Sequence, residues 1–326
     1  PSLRRLGGMA PGGTRDVTAL APARPAVRPR RRALATREAW EGYAFISLWV
    51  VGFLVFYAGP MLASLGLSFT SWNLLGSIRW TGLGNYARMV HDDLFWQSLK
   101  VTTLYALFAV PLDLTAALVL AMLLNQKLRG IGWYRTVYYI PTILPAVVTA
   151  VLWQWVFNPE VGLINGALGL IGIQGPMWLA SPKWALPAII LMSVWTIGSA
   201  MVIFLGGLQG IPTQLYEAAS IDGASDWTKF WKITVPMLSP TIFFNLVIGM
   251  IGAYQVFTLP YIMTRGGPRY ATHFYVLYLY ESAFAHYEMG YASALAWMLF
   301  IIVITLTIIQ FRLSRRWVYY AGGESG

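Results

Sequence analysis

Few residues in this chain are equipped for chemistry, and their spacing decides which kind. There is no cysteine, so thiol catalysis and disulfides are excluded. His91, His273 and His286 stand far apart, without metal-ligand spacing. The apolar runs hold no cluster of His, Asp and Ser of the kind a membrane-embedded enzyme needs. The Gly-x-x-x-x-Gly-Lys-Ser/Thr phosphate loop is missing, so this sequence offers no such site for ATP hydrolysis. Two features remain. Asp113 is the one acid inside an apolar run, where an ionisable group is expensive and usually functional. It can line a pathway, bind a cation or join helices through a polar bond, and no intramembrane Lys or Arg offers it a partner. A buried link between helices is the preferred reading, and an ion-coupled secondary transporter built on Asp113 is the alternative. The other feature is a polar segment from Gly210 to Pro236 that carries Glu217, Ala218, Ala219, Asp222 and Gly223.

The elements that must position these residues are set by hydropathy. Of the 326 residues, 57% are hydrophobic and 11% charged, against about 25% charged in a soluble domain. Six stretches are long and apolar enough to cross a bilayer: 43–69, 101–125, 137–157, 184–208, 241–264 and 291–311. The chain therefore reads as an all-α membrane protein with six transmembrane helices. The net charge of +10 does not signal nucleic acid, because the basic residues sit in short segments between apolar runs. With the N-terminus inside, the inner segments 1–42, 126–136, 209–240 and 312–326 hold 17 of the 23 Lys and Arg. That bias places both termini in the cytoplasm. Residues 1–42 are basic and rich in Pro, Gly and Ala, and are expected to be a largely disordered tail. The first apolar run is too long for a signal-peptide core and is read as an uncleaved membrane helix. The membrane body is 43–317, with a short C-terminal tail at 318–326. Trp153, Trp155 and Trp178 fall where indoles prefer the outer interface. Tyr278, Tyr280, Phe284 and Tyr287 form an aromatic stretch that either lies in that interface or touches an outside partner.

The segment 209–240 reads as two short helices on the cytoplasmic surface. Pro212 suits a first helical turn, Gly223 a left-handed end and Ser225 a cap, with Asp226 at the positive terminus. Pro236 is expected to stop the second helix, and Ser239 with Pro240 to start the fifth span. The spaced pattern Glu217-Ala218-Ala219, Gly223, Ile233, Pro236 resembles the EAA loop of ATP-binding-cassette import permeases. It departs only at Val235, where that family usually has Leu. The resemblance covers about 43–317 and is strongest to carbohydrate-uptake permeases. It includes Gly82-Leu-Gly-Asn-Tyr86, Leu123-Leu-Asn-Gln-Lys-Leu-Arg-Gly130, Ile140-Pro-Thr-Ile-Leu-Pro145, Gly266-Gly-Pro268 and Met289-Gly-Tyr-Ala-Ser-Ala294.

This resemblance implies the type I importer permease fold in a bacterial plasma (inner) membrane. It implies three kinds of partner besides lipid: a second homologous permease, an ATP-binding-cassette ATPase dimer and an extracellular or periplasmic solute-binding protein. ATP and Mg are then bound by the ATPase, and this chain, which is not an enzyme, binds no cofactor. Glu217, Ala218, Ala219, Asp222 and Gly223 are the implied ATPase-coupling residues. By position the implied solute contacts are Thr142, Met192, Thr196, Ser199, Gly249, Ala253 and Val256. Gly249, Ala253 and Val256 have no polar side chain, so Trp195, Asn245, Tyr254 and Gln255 are neighbours able to replace them. No basic residue in the spans argues for an anion, which favours a neutral sugar or similar polar solute.

Overall fold

The computed structural model describes residues 30–126 and 128–319, without the side chains of 30–37. Two compact units are distinguished, Pro1–Pro60 and Met61–Gly326. Most of the basic tail lies outside the described residues. From Arg30 the described chain is helical, in α1 (Arg30–Phe53). α1 runs through a π-helical turn, Leu54–Ala58, into α2 (Gly59–Ser68). Pro60 lacks the N–H that would reach back along an α-helix, and the Gly59 N–H bonds instead to Leu54 O. Along this stretch Phe45, Leu48 and Phe56 are 86%, 81% and 77% exposed. Such a surface is stable in lipid and unstable in water.

After α2 the second unit forms a short antiparallel pair, β1 (Thr70–Ser71) and β2 (Arg79–Trp80), followed by α3 (Gly84–Val90). Asn85 Nδ2 donates to Ser68 O and to Thr70 O, each at 2.8 Å, and so fixes this foot. α4 (Asp93–Leu124) then runs the length of the unit. α5 (Ile131–Ile143) and α6 (Ala146–Val156) meet at 100°. The third span is thus a sharply broken pair and not one straight helix. Pro145 excludes Leu144 from the helical region, and Leu144 sits at ψ 137.

α7 (Leu163–Leu170) precedes α8 (Ala185–Ser193), which bends by 48° through a tight turn, Val194–Thr196, into α9 (Gly198–Gln209). Next come α10 (Thr213–Ile221), α11 (Asp226–Lys229), α12 (Val235–Tyr254), α13 (Thr258–Met263), α14 (Tyr275–Tyr280) and α15 (Met289–Ser314). Among the described residues four helical stretches qualify as spans, and six if each bent pair is one.

Pro236 does not end a helix and Pro240 does not start one. α11 passes through a π-helical turn, Phe230–Thr234, directly into α12. Pro240 has no N–H for Pro236 O, and Ser239 Oγ donates to that carbonyl instead at 2.7 Å. This is the side-chain repair that lets membrane helices carry proline.

The core has a middle and two ends. Tyr105, Ala109, Ile189, Phe274 and Leu277 pack the middle. Leu124, Phe204, Leu208 and Leu238 close the end nearest α10, and Phe95, Tyr275, Tyr278, Tyr291 and Leu295 close the opposite end. There Asp92 caps α4, accepting the Leu94 N–H at 2.9 Å, and also accepts the hydroxyls of Tyr278 and Tyr291. Beside it Arg88 and Glu288 form a bidentate pair at 2.9 Å. Tyr278 is therefore turned inward, and Tyr280 packs on Phe257, while Phe284 and Tyr287 stay exposed. Of the three tryptophans, Trp155 is exposed, Trp153 stacks edge-on to Trp195, and Trp178 donates to Asn165 Oδ1 at 2.7 Å.

Burial pushes the Asp92 carboxyl up, but the tyrosine hydroxyls and the first amides of α4 outweigh it and hold its pKa below 3.8. A carboxyl depressed on folding stabilises the protein above its unfolded pKa, and that contribution is lost as pH falls through the folded value. Thermal unfolding of the wild type should therefore steepen its decline below about pH 4. Asp92→Asn should be less stable at neutral pH and lack that part of the acid dependence.

Candidate functional site

Two places combine polar groups with a defined geometry. The first is an elbow between α9 and α12. Pro212 caps α10. α10 ends with Gly223 at φ +74, whose N–H reaches Ser220 O at 3.1 Å while the Ala224 N–H reaches Ala219 O at 2.9 Å. These paired bonds satisfy the last carbonyls of the helix, and only glycine takes the left-handed turn without strain. Ser225 Oγ accepts the Thr228 N–H at 3.3 Å and caps α11. The Tyr216 hydroxyl bonds to Thr234 Oγ1 at 2.9 Å and ties α10 to the stem of α12. The elbow is thus rigid on its inner side. On its outer side Glu217, Ala218, Asp222 and Gly223 are exposed and Ala219 is half-buried. Glu217 has no hydrogen bond or ion pair among the described residues. Beside it Ile221 is 86% and Trp227 70% exposed. An acid without a described partner, flanked by exposed apolar groups on a rigid turn, has the chemistry of a protein-contact surface.

The second place lies between α4, α8, α9 and α12, which line a half-open cavity of about 300 Å³. Asp113 and Ser193 meet in its wall, where Ser193 Oγ donates to Asp113 Oδ1 at 2.8 Å. Thr196 Oγ1 donates to Ser193 O at 3.0 Å, and Asn245 Nδ2 to Thr241 O at 3.0 Å. Gly249 and Ala253 contribute a stretch of wall without polar side chains. The cavity can accept and donate hydrogen bonds to a small polar solute. Among the described residues no group of three or more His, Asp or Glu could hold a metal.

Residues 113–319 match the family described as binding-protein-dependent transport system inner membrane component. The chain belongs to this family. The probable ABC transporter permease protein YesP of Bacillus subtilis (strain 168) is 47% identical over 288 residues, 87% of this chain and 93% of the relative. The trehalose/maltose transport system permease protein MalF of Thermococcus litoralis is 34% identical over 287 residues, 86% of this chain and 96% of the relative. The crystal structure of a bacterial ABC transporter involved in the import of the acidic polysaccharide alginate aligns with a TM-score of 0.76. It covers 88% of this chain and 99% of that one at 23% identity, a likeness of fold. The type I importer permease architecture expected from the sequence is the one observed. The protein is a multi-pass permease subunit of an importer and not an enzyme.

The structure of this permease sorts the residues singled out in its sequence. Thr196, Ser199, Asn245, Gly249, Ala253 and Val256 line this cavity. Thr142, Met192, Trp195, Tyr254 and Gln255 do not. Thr142 sits where α5 crosses α9, its Oγ1 3.5 Å from Thr196 O. Met192 packs with Ala150, Ala188 and Met263. Trp195 turns to Trp153, the Tyr254 hydroxyl meets Thr103 Oγ1 at 3.1 Å, and Gln255 is an exposed residue at the end of α12. Sequence reasoning missed Tyr105 and Ser193. A stripe was available to find them: Tyr105, Ala109 and Asp113 recur every four residues, and Ser193, Thr196 and Ser199 every three, each spacing keeping to one helix face. The buried link preferred for Asp113 exists, with Ser193 as its partner.

Proposed function

We propose that this permease and a second, homologous permease form the path by which a carbohydrate crosses the bacterial inner membrane. A solute-binding protein delivers the solute from outside, and an ATP-binding-cassette ATPase dimer, which holds the ATP and Mg, supplies the motion. Both termini and the elbow face the cytoplasm. The observation that carries this reading is the elbow, with its glycine-locked turn, unpaired Glu217 and exposed Ile221 and Trp227 on a stem that continues into α12. Glu217 meets a basic group of the ATPase, while Ala218 and Ala219 allow close approach. The substrate class is supported by relatives such as the trehalose/maltose permease protein and by the hydroxyl- and amide-bearing cavity wall.

In proteoliposomes holding the complete transporter, saccharide uptake should require ATP and should stop when the ATPase subunit is made inactive. Accumulation without nucleotide hydrolysis, abolished by Asp113→Asn, would establish ion-coupled transport instead.

A further inference from the structure

The geometry points to Asp113 as a charge filter of the translocation cavity, one that admits neutral, hydroxyl-rich saccharides and rejects anionic ones such as uronates. This rests on the reading of the cavity as part of a carbohydrate path. Its wall combines Asp113 and Ser193 with Thr196, Ser199 and Asn245. Asp113 is the single carboxylate among the described lining residues, and no Lys or Arg is among them. Ser193 donates to Oδ1 at 2.8 Å, and no described residue donates to Oδ2.

An ionised carboxylate offers acceptors only. Its open oxygen fits a sugar hydroxyl, which has a proton to give. A uronate offers a second carboxylate in its place, with no cation in the wall to offset the repulsion. Away from bulk water that repulsion is screened less than at a surface. A neutral alcohol loses nothing of the kind and gains a charge-assisted bond. Asp113 therefore does more than join α4 to α8. The Ser193 bond holds one oxygen of the carboxylate, and no described residue donates to the other.

The test uses the complete transporter in proteoliposomes. ATP-driven uptake is measured for radiolabelled disaccharides of glucose, galactose and mannose, and for the same disaccharides with the terminal hydroxymethyl oxidised to a carboxylate. The binding protein also selects, so the deciding quantity is the change in the neutral-to-uronate uptake ratio when residue 113 alone changes. Wild type should favour the neutral sugar, and Asp113→Asn should lower the ratio about tenfold, as loss of one bond to a charged group implies. Asp113→Lys should invert it. Equal uptake of neutral and anionic forms by the wild type would overturn the filter while leaving the carbohydrate path intact. So would an Asp113→Asn protein that assembles with its partners and keeps the wild-type ratio. Uptake of no saccharide by an ATP-hydrolysing complex would instead overturn the carbohydrate reading itself.

Discussion

A double variant, Glu217→Ala with Gly223→Val, should lose ATP-driven uptake while the chain still inserts and pairs with its partner permease. Gly223 is at φ +74, in a turn that closes α10 with two backbone bonds. A β-branched side chain there costs about 1–2 kcal/mol or more, which disfavours the turn about tenfold. Because Gly223 is exposed and nothing lies within 4 Å of a Cβ built on it, the cost is conformational and not steric. The helical bundle should keep its melting temperature to within a few degrees. Glu217→Ala removes an exposed acid of the elbow that has no partner among the described residues, and should weaken ATPase co-purification by itself. Uptake assays with membrane-insertion controls decide the matter. Full uptake by the double variant would remove the elbow from the coupling mechanism.

The second large effect is expected at Gly198, where α9 begins beside α5. A Cβ there would lie 2.4 Å from Thr142 Oγ1, 2.9 Å from Tyr138 O and 3.0 Å from Tyr139 Cα. The hydroxyl can rotate away, but the backbone atoms cannot. Gly198→Val must push α5 and α9 apart, and overpacking of this kind costs about 1–3 kcal/mol. The bend between α8 and α9 lies beside the cavity, so uptake should fall together with thermal stability. Gly198→Ala should show the same two losses to a smaller degree. A valine variant with wild-type melting and wild-type uptake would mean that the two helices are free to slide, contrary to their packing here.

The elbow was legible in the sequence because its residues act locally. Gly223, Ser225 and Asp226 each satisfy a need of the nearest helix end, and each is found doing so. The prolines were harder to read. Pro236 and Pro240 look like breaks, yet a π-helical turn and the Ser239 hydroxyl absorb both, and no propensity rule anticipates that repair. Pro145 was the true break of the third span, through its effect on Leu144. The cavity was half legible. Neighbours on a helix point about 100° apart, so Trp195 and Tyr254 turn away although Thr196 and Ala253 face the cavity. Asp113 and Ser193 are 80 residues apart, and only the crossing of α4 with α8 makes them partners.

One feature of the elbow extends far beyond it. From Asp226 to Tyr254 the backbone is helical without a loop, through α11, the π-helical turn and α12. At 1.5 Å per residue this makes a lever about 40 Å long. Trp227 stands near its handle, while Asn245, Gly249 and Ala253 stand along its far arm and face the cavity. A tilt of about 5° sweeps the tip through about 4 Å, comparable with the width of a sugar hydroxyl and its hydrogen bond. With no slack segment between handle and tip, any push on the handle would also reshape the cavity wall.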